Sequence, residues 1–323
     1  MPLELQGKFF NKTVHVVFED SLGYLWIGTN SGLYRYDGNH LKRYQYDVFD
    51  EHSIPNNTVI AITEDQYQNL WIGNESYLVH FDRLNEHFKG YFKNQTIEEL
   101  YTNQKGEVWA NPRKSGLIKI TSSEQRADFQ FDLVYPYDTT QNSLRIAVAE
   151  DDFGQMIAVS KNGLMVLDAS GSWRPTNLNF PIEKIQKGKN QTFWLTSGNR
   201  IMQVQYEKDQ FFYEIIQQFE LPSKAPDFVI TNLLLSQKSQ IWIGTNYGLF
   251  QLDIGAKQPT IVKIIDRRGV LNNQISSLTI DQYQNLWVGT WKGLVKYIDR
   301  ASMFQYLDLK RFGMQMENDK VSA

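Results

Sequence analysis

Asp65-Gln66-Tyr67-Gln68-Asn69-Leu70-Trp71 returns unchanged as Asp281-Gln282-Tyr283-Gln284-Asn285-Leu286-Trp287. Seven identical residues in one chain mark a repeat, and the Trp that ends the motif shows how often it recurs. Six of the eight Trp hold this position: Trp26, Trp71, Trp109, Trp194, Trp242 and Trp287. Ile157 fills the same place in a unit between Trp109 and Trp194. The steps are then 45, 38, 48, 37, 48 and 45 residues. A period of about 40–45 residues with strand-like content is that of β-propeller blades.

One unit shows the content. Val14-x-Val16-x-Phe18 alternates with period two, the mark of a half-buried strand. Asp20 to Gly23 is a tight turn, in which Asp bonds its own backbone two residues on and Gly supplies positive φ. Leu25 to Thr29 is a second strand, Asn30-Ser31-Gly32 a second turn, Leu33 to Asp37 a third strand and Leu41 to Tyr46 a fourth. Four short antiparallel strands in a meander make one blade. A lone blade cannot bury its faces. The repeated Trp therefore fills the wedge between blades, and the Gly two residues on (Gly28, Gly73, Gly244, Gly289) lets the next sheet approach. The sequence predicts an all-β fold, a seven-bladed β-propeller of four-stranded antiparallel blades.

Each first strand follows an Asn-led turn: Asn11 to Val14, Asn56 to Val59, Asn94 to Ile97, Asn272 to Ile275. The resulting Asn-x-Thr triplets are read as turns, not glycan acceptors. The predicted organisation is a lead-in over 1–13, the propeller over 14–308, and a tail over 309–323. In that tail Asn318 to Ala323 resembles the start of a further repeat of a longer parent.

Composition excludes several classes. Thirty-three Lys+Arg against 36 Asp+Glu leave a net charge of −3, which gives no reason to expect nucleic acid or a membrane surface as partner. The absence of Cys removes disulfides, thiol nucleophiles and Cys zinc sites. No apolar run approaches the roughly 18 residues of a membrane helix, and Met1 to Phe10 lacks the pattern of a signal peptide.

The pattern from Glu19-Asp20 through Gly23, Leu25-Trp26-Ile27-Gly28-Thr29 and Gly32-Leu33 to Tyr36-Asp37 resembles the two-component regulator propeller repeat. The resemblance runs over residues 14 to 308. It implies the first propeller of a periplasmic sensor region in a hybrid two-component histidine kinase, recognising oligosaccharides released from glycans. Its implied partners are an oligosaccharide ligand, a second propeller and downstream signalling domains, so signal output would lie outside these residues.

Catalytic chemistry is not expected. All five His (His15, His40, His52, His80, His87) fall in the first 87 residues, none with metal-ligand spacing. His15 reads as a strand histidine, and Asp151-Asp152 lacks the alternating ligands of a calcium loop. Pairs such as Glu19-Asp20 recur with the repeat and read as turn caps. No nucleophile elbow, phosphate loop or kinase signature is present, so neither cofactor nor metal is predicted. A streptogramin-lyase-like enzyme is the catalytic rival, but such enzymes use a late-blade His, and none follows His87. A scaffold that docks a protein partner is the third reading.

Departures from the repeat point to one face. Tyr77 and Arg200 stand where other units have Gly, Ala110-Asn111 replace Ile-Gly, and Ile157 replaces Trp. The turns between second and third strands place Tyr77, Arg113, Lys114, Lys161, Arg200, Tyr247, Trp291 and Lys292 on that face, with Arg267 and Arg268 of a blade connection beside them. Aromatic rings stack on sugars and Arg forks pair with acidic groups. These residues are the predicted binding set, for an oligosaccharide that bears acidic groups; Asp47 to Glu51 adds acid to the same face.

Overall fold

Seven sheets follow one another along the chain, each of four consecutive strands in sequence order. In this computed structural model the described residues are 13–122, 129–136, 146–207, 211–222, 225–264, 269, 271, 273–298 and 303–306. Blade 1 comprises β1 (Val14–Glu19), β2 (Leu25–Thr29), β3 (Gly32–Tyr36) and β4 (Leu41–Tyr44). Blade 2 comprises β5 (Val59–Glu64), β6 (Leu70–Asn74), β7 (Leu78–Asp82) and β8 (His87–Tyr91). Blade 3 runs from β9 (Ile97–Thr102) to β12 (Phe129–Pro136), blade 4 from β13 (Ala147–Glu150) to β16 (Trp173–Pro175), and blade 5 from β17 (Lys184–Lys187) to β20 (Tyr213–Glu220). Blade 6 runs from β21 (Ile230–Leu235) to β24 (Thr260–Ile264), and blade 7 from β25 (Ile275–Ile280) to β28 (Met303–Tyr306). The expected seven-bladed propeller is thus the observed fold. Every pairing is antiparallel. The lead-in up to Lys12, the tail after Tyr306, and Asp266, Arg267 and Arg268 lie outside the described residues.

The core consists of seven apolar clusters, one at each junction. Trp26 and Leu33 of blade 1 pack with Val59, Leu70 and Phe81 of blade 2. Trp71 meets Ile97 and Val108 of blade 3, and Trp109 meets Met156 and Ala158 of blade 4. Trp194 and Trp242 repeat the arrangement one junction further each. Trp287 closes the ring against Val14, Leu25 and Tyr34. All six repeat Trp are at most 5% exposed. Blade 4 has Ile157 in place of Trp, and blade 5 fills the space with Phe193, Tyr206 and Tyr213.

The paired Gly has the predicted cause. A Cβ on Gly73 would stand 2.3 Å from Ile97 O, and one on Gly28 would stand 2.8 Å from Val59 O. The chains of neighbouring blades come too close for any side chain.

The Asp turn does more than cap itself. Asp20 Oδ1 accepts the backbone N–H of Leu22 at 3.0 Å and of Tyr24 at 2.9 Å, while its Oδ2 accepts the Trp26 indole N–H at 2.6 Å. Asp65 serves Trp71 at 3.3 Å and Asp281 serves Trp287 at 2.9 Å in the same way. In blade 3 the residue is Asn103. Its Oδ1 still caps the turn, but its amide donates to Glu107 at 2.7 Å, and Trp109 Nε1 is left without a partner. The Glu before the Asp reaches back to the preceding blade. Glu64 accepts Ser21 N–H at 2.8 Å, Glu150 accepts Gln104 N–H at 2.7 Å, and Glu19 accepts Gln282 N–H at 2.7 Å across the ring closure. Arg83 adds a charged clamp, donating to Asp20 at 2.6 Å and Glu64 at 3.0 Å.

Candidate ligand-binding face

Turns between second and third strands are built by the Gly-Thr-x-x-Gly segment. Thr29 Oγ1 donates to Gly32 O at 2.8 Å, Thr245 Oγ1 to Gly248 O at 2.7 Å and Thr290 Oγ1 to Gly293 O at 3.0 Å. The same hydroxyls accept the N–H groups of Ser31, Tyr247 and Lys292 at 3.0–3.1 Å. Gly closes each turn at positive φ, +119° at Gly248 and +136° at Gly293. The two residues between are thereby held outward: Asn246 and Tyr247 in blade 6, Trp291 and Lys292 in blade 7. Blade connections meet these turns, as where Trp291 N–H donates to Gln274 O at 3.2 Å and Gly32 N–H to Asn57 O at 2.8 Å. Turns and connections therefore share one face, as expected from the meander.

Blade 5 keeps the two-residue turn but moves its Gly. Ser197 pairs with Arg200, and Gly198 inside the turn takes φ of +60°. Arg200 can then begin the third strand with ordinary backbone. Blade 2 solves the same problem with Asn74, whose Oδ1 accepts the N–H of Ser76 at 2.8 Å and Tyr77 at 2.6 Å.

The predicted residues do not all behave alike. Trp291 is 55% exposed, and Tyr247, on the adjacent blade, 40%. Lys114, Lys161 and Lys292 are exposed and make no ion pair among the described residues. Arg113 is paired with Glu98 at 2.5 Å. Arg200 stands beside Glu183, whose carboxyl burial pushes up while the Gly198 N–H bonds and the Arg200 charge oppose it. Tyr247 donates to Asp227 at 2.6 Å and stacks on Phe228 at 6.2 Å, and its bond to Asp227 raises the phenol's pKa. Tyr77 departs from the expected role: it is half-buried in the blade 1–2 cluster, its ring over Gly90. The exposed members thus lie on blades 3, 4, 6 and 7, with Tyr77 withdrawn into packing. Glu98, Asp227 and Phe228 are companions that the repeat pattern did not mark, because each sits in a first strand or a connection that varies between units.

His15 is half-buried with Nε2 unpartnered, and burial lowers its pKa. Lys184 reaches Glu99 at 2.5 Å, tying blade 5 to blade 3 past blade 4. Among the described residues no group of three or more His, Asp or Glu is placed to hold a metal ion, and no helix is long and apolar enough to cross a membrane.

Residues 8–31, 53–76 and 269–292 match the family model of the two-component regulator propeller. Three segments of the chain are similar to that repeat. They are the segments that hold the Asp20–Trp26, Asp65–Trp71 and Asp281–Trp287 bonds. The fold that these repeats build is shared with the extracellular domain of the hybrid two-component system BT4673 from B. thetaiotaomicron, with a TM-score of 0.70 and 18% identity. The match covers 92% of this chain and 41% of that one, so the chain spans less than half of it. A streptogramin B lyase structure matches with a TM-score of 0.67 and 12% identity, over 90% of this chain and 95% of that chain. Virginiamycin B lyase from Staphylococcus aureus matches with 0.66 and 11%, over 88% and 94%. At such identities the likeness is one of fold. No curated protein matches the chain in sequence.

Proposed function

We propose that this propeller is a ligand-sensing unit of a hybrid two-component sensor, placed outside the cytoplasm, that recognises a glycan-derived oligosaccharide bearing acidic groups. It acts by binding alone and passes the signal through domains outside this chain. The regulator-propeller repeats and the fold shared with an extracellular sensor domain support the class. One observation carries the ligand: Tyr247 and Trp291, on neighbouring blades, expose their rings on a face that also presents Lys114, Lys161 and Lys292. Rings of this kind stack on sugar faces, and the ammonium groups favour carboxylate or sulfate. Signalling would follow from unequal affinity of the ligand for two arrangements of the parent's domains. A lyase reading has the fold in its favour but no His beyond His87 to serve as base.

Calorimetry with acidic and neutral oligosaccharides tests the proposal. Acidic chains should bind more tightly, and Trp291→Ala and Lys292→Ala should each weaken them about tenfold or more. Unchanged affinity in both variants would overturn the assignment of this face.

A further inference from the structure

A second concave site lies on the outer strands of blade 2. It is a cavity of about 520 Å³ walled by the loop that joins blades 1 and 2, by β7 and β8, and by Phe129 of blade 3. The loop is docked along the sheet edge, since Phe88 N–H donates to His52 O at 2.9 Å. His80 and Asp82 on β7 and His87, Lys89 and Tyr91 on β8 are cross-strand neighbours, so the pleat turns them to one side.

Three imidazoles meet here. His52 and His87 stack face to face, centroids 3.8 Å apart and planes within 5°. His80 is 6% exposed, and its Nε2 has no hydrogen-bond partner. Asp65 is the nearest carboxylate, at 4.0 Å, and the rings of Trp71 and Phe129 flank it. Burial lowers the His80 pKa to about 4, which keeps it neutral. The Lys89 ammonium lies 5.5 Å from the Tyr91 ring and makes no ion pair among the described residues. Of the two carboxylates in the wall, Asp82 is engaged by its own turn through Leu84 and Asn85. Glu51 is 90% exposed and 3.8 Å from His52.

We propose that this cleft binds a small monocarboxylate carried on a ring. The Lys89 ammonium offers one cation to a carboxylate, and the stacked rings of His52 and His87 border it with ring nitrogens. Phe129 and Tyr91 offer flat apolar walls to the ring. Asp82 and Glu51 set the charge, since their presence penalises a dianion such as phosphate. The volume is that of ordinary small-molecule sites. The imidazoles do not form a metal site.

The charged and titratable groups lining the cleft are Glu51, His52, His80, Asp82, His87 and Lys89. Burial works against the Asp82 charge, yet the Asn85 and Leu84 bonds hold its carboxyl below the usual range.

The experiment titrates the intact chain with glucuronate, benzoate and neutral glucose, by calorimetry and by the His ring resonances. A carboxylate probe should bind at least about tenfold more tightly than glucose. The resonances of His52, His80 and His87 should shift while those of His15 and His40 stay. Preference for glucuronate over benzoate, or the reverse, identifies a sugar or a plain aromatic ring as the carrier. His87→Gln and Lys89→Ala, both exposed and checked for unchanged Tm, should each weaken binding about tenfold, and Trp291→Ala should not. Equal affinity for glucose and glucuronate, no response to either carboxylate at millimolar concentration, or full binding by both variants would each overturn the proposal.

Discussion

The Trp26 indole donates to Asp20 Oδ2 at 2.6 Å, while Asp20 Oδ1 caps the turn that leads into the strand carrying that Trp. One carboxylate thus sets the turn and fixes the ring that fills the next junction. The six-residue spacing recurs as Asp65–Trp71 and Asp281–Trp287, and blade 3 breaks it with Asn103 and an unpartnered Trp109. Asp281→Asn should destabilise the fold by about 1–3 kcal/mol, since an amide cannot both cap the turn and accept the indole proton in the same pose. Asn103→Asp alone should gain little, because Glu107 lies 2.7 Å from the altered atom. Combined with Glu107→Gln it should stabilise by about 1 kcal/mol in denaturant unfolding.

Two tryptophans four residues apart should respond in opposite ways. Trp287→Ala empties the junction that closes the ring and should cost about 3–5 kcal/mol. Trp291→Ala removes a 55% exposed ring and should leave stability within about 0.5 kcal/mol. Thermal unfolding of the pair separates a packing Trp from an exposed one.

Gly73→Ala should be costly in a way that relaxation cannot cure. The added methyl meets backbone oxygen of Ile97 at 2.3 Å, and about 2–3 kcal/mol of overpacking is expected. Gly90→Ala meets the Tyr77 ring at 2.9 Å and Pro55 Cγ at 3.4 Å, with no backbone atom among its nearest contacts. That ring can tilt, so the cost should be nearer about 1 kcal/mol and Tyr77 fluorescence should change. Chemical denaturation of both variants checks the order.

His80 gives the fold an acid sensitivity. Its folded pKa is lowered from 6.5 to about 4 by burial. Between these values the unfolded chain binds the proton more readily, so the contribution is full above about pH 6.5 and is lost as pH falls through about 4. Wild type should lose up to about 3 kcal/mol over that interval from this group, and His80→Leu should flatten the profile. Equal slopes for the two proteins in urea unfolding across that range would refute it.

What the sequence made legible was whatever repeats. Trp71, Gly73, Asp65 and the Thr290–Gly293 turn recur in identical surroundings, so spacing alone located blades, junctions and the exposed turn positions. The Asp-to-indole bond follows an interval of six in three units, where the pattern marked the Asp only as a turn cap. Departures were harder to read. Tyr77 occupies a Gly position and looks exposed, but its ring covers Gly90 on a strand thirteen residues away. Arg113 belongs to the predicted binding set, but its guanidinium pairs with Glu98, which sits in a first strand whose outward residues have no common type. The His52–His87 stack joins a connection of irregular length to an outer strand, a contact that no period encodes.

No strand is exchanged between first and last blade among the described residues, since β1 to β4 and β25 to β28 each form a complete sheet. Val17 N–H donates to Ser277 Oγ at 2.9 Å, Ser276 Oγ donates to Val14 O, and Glu19 takes Gln282 N–H just as Glu64 takes Ser21 N–H. The Glu fastening of the seam is therefore the one found at the blade 1–2 spoke of the wheel. A circular permutant that opens the chain in another connection, with the present termini linked, should keep this fastening and fold with its ends moved to another spoke.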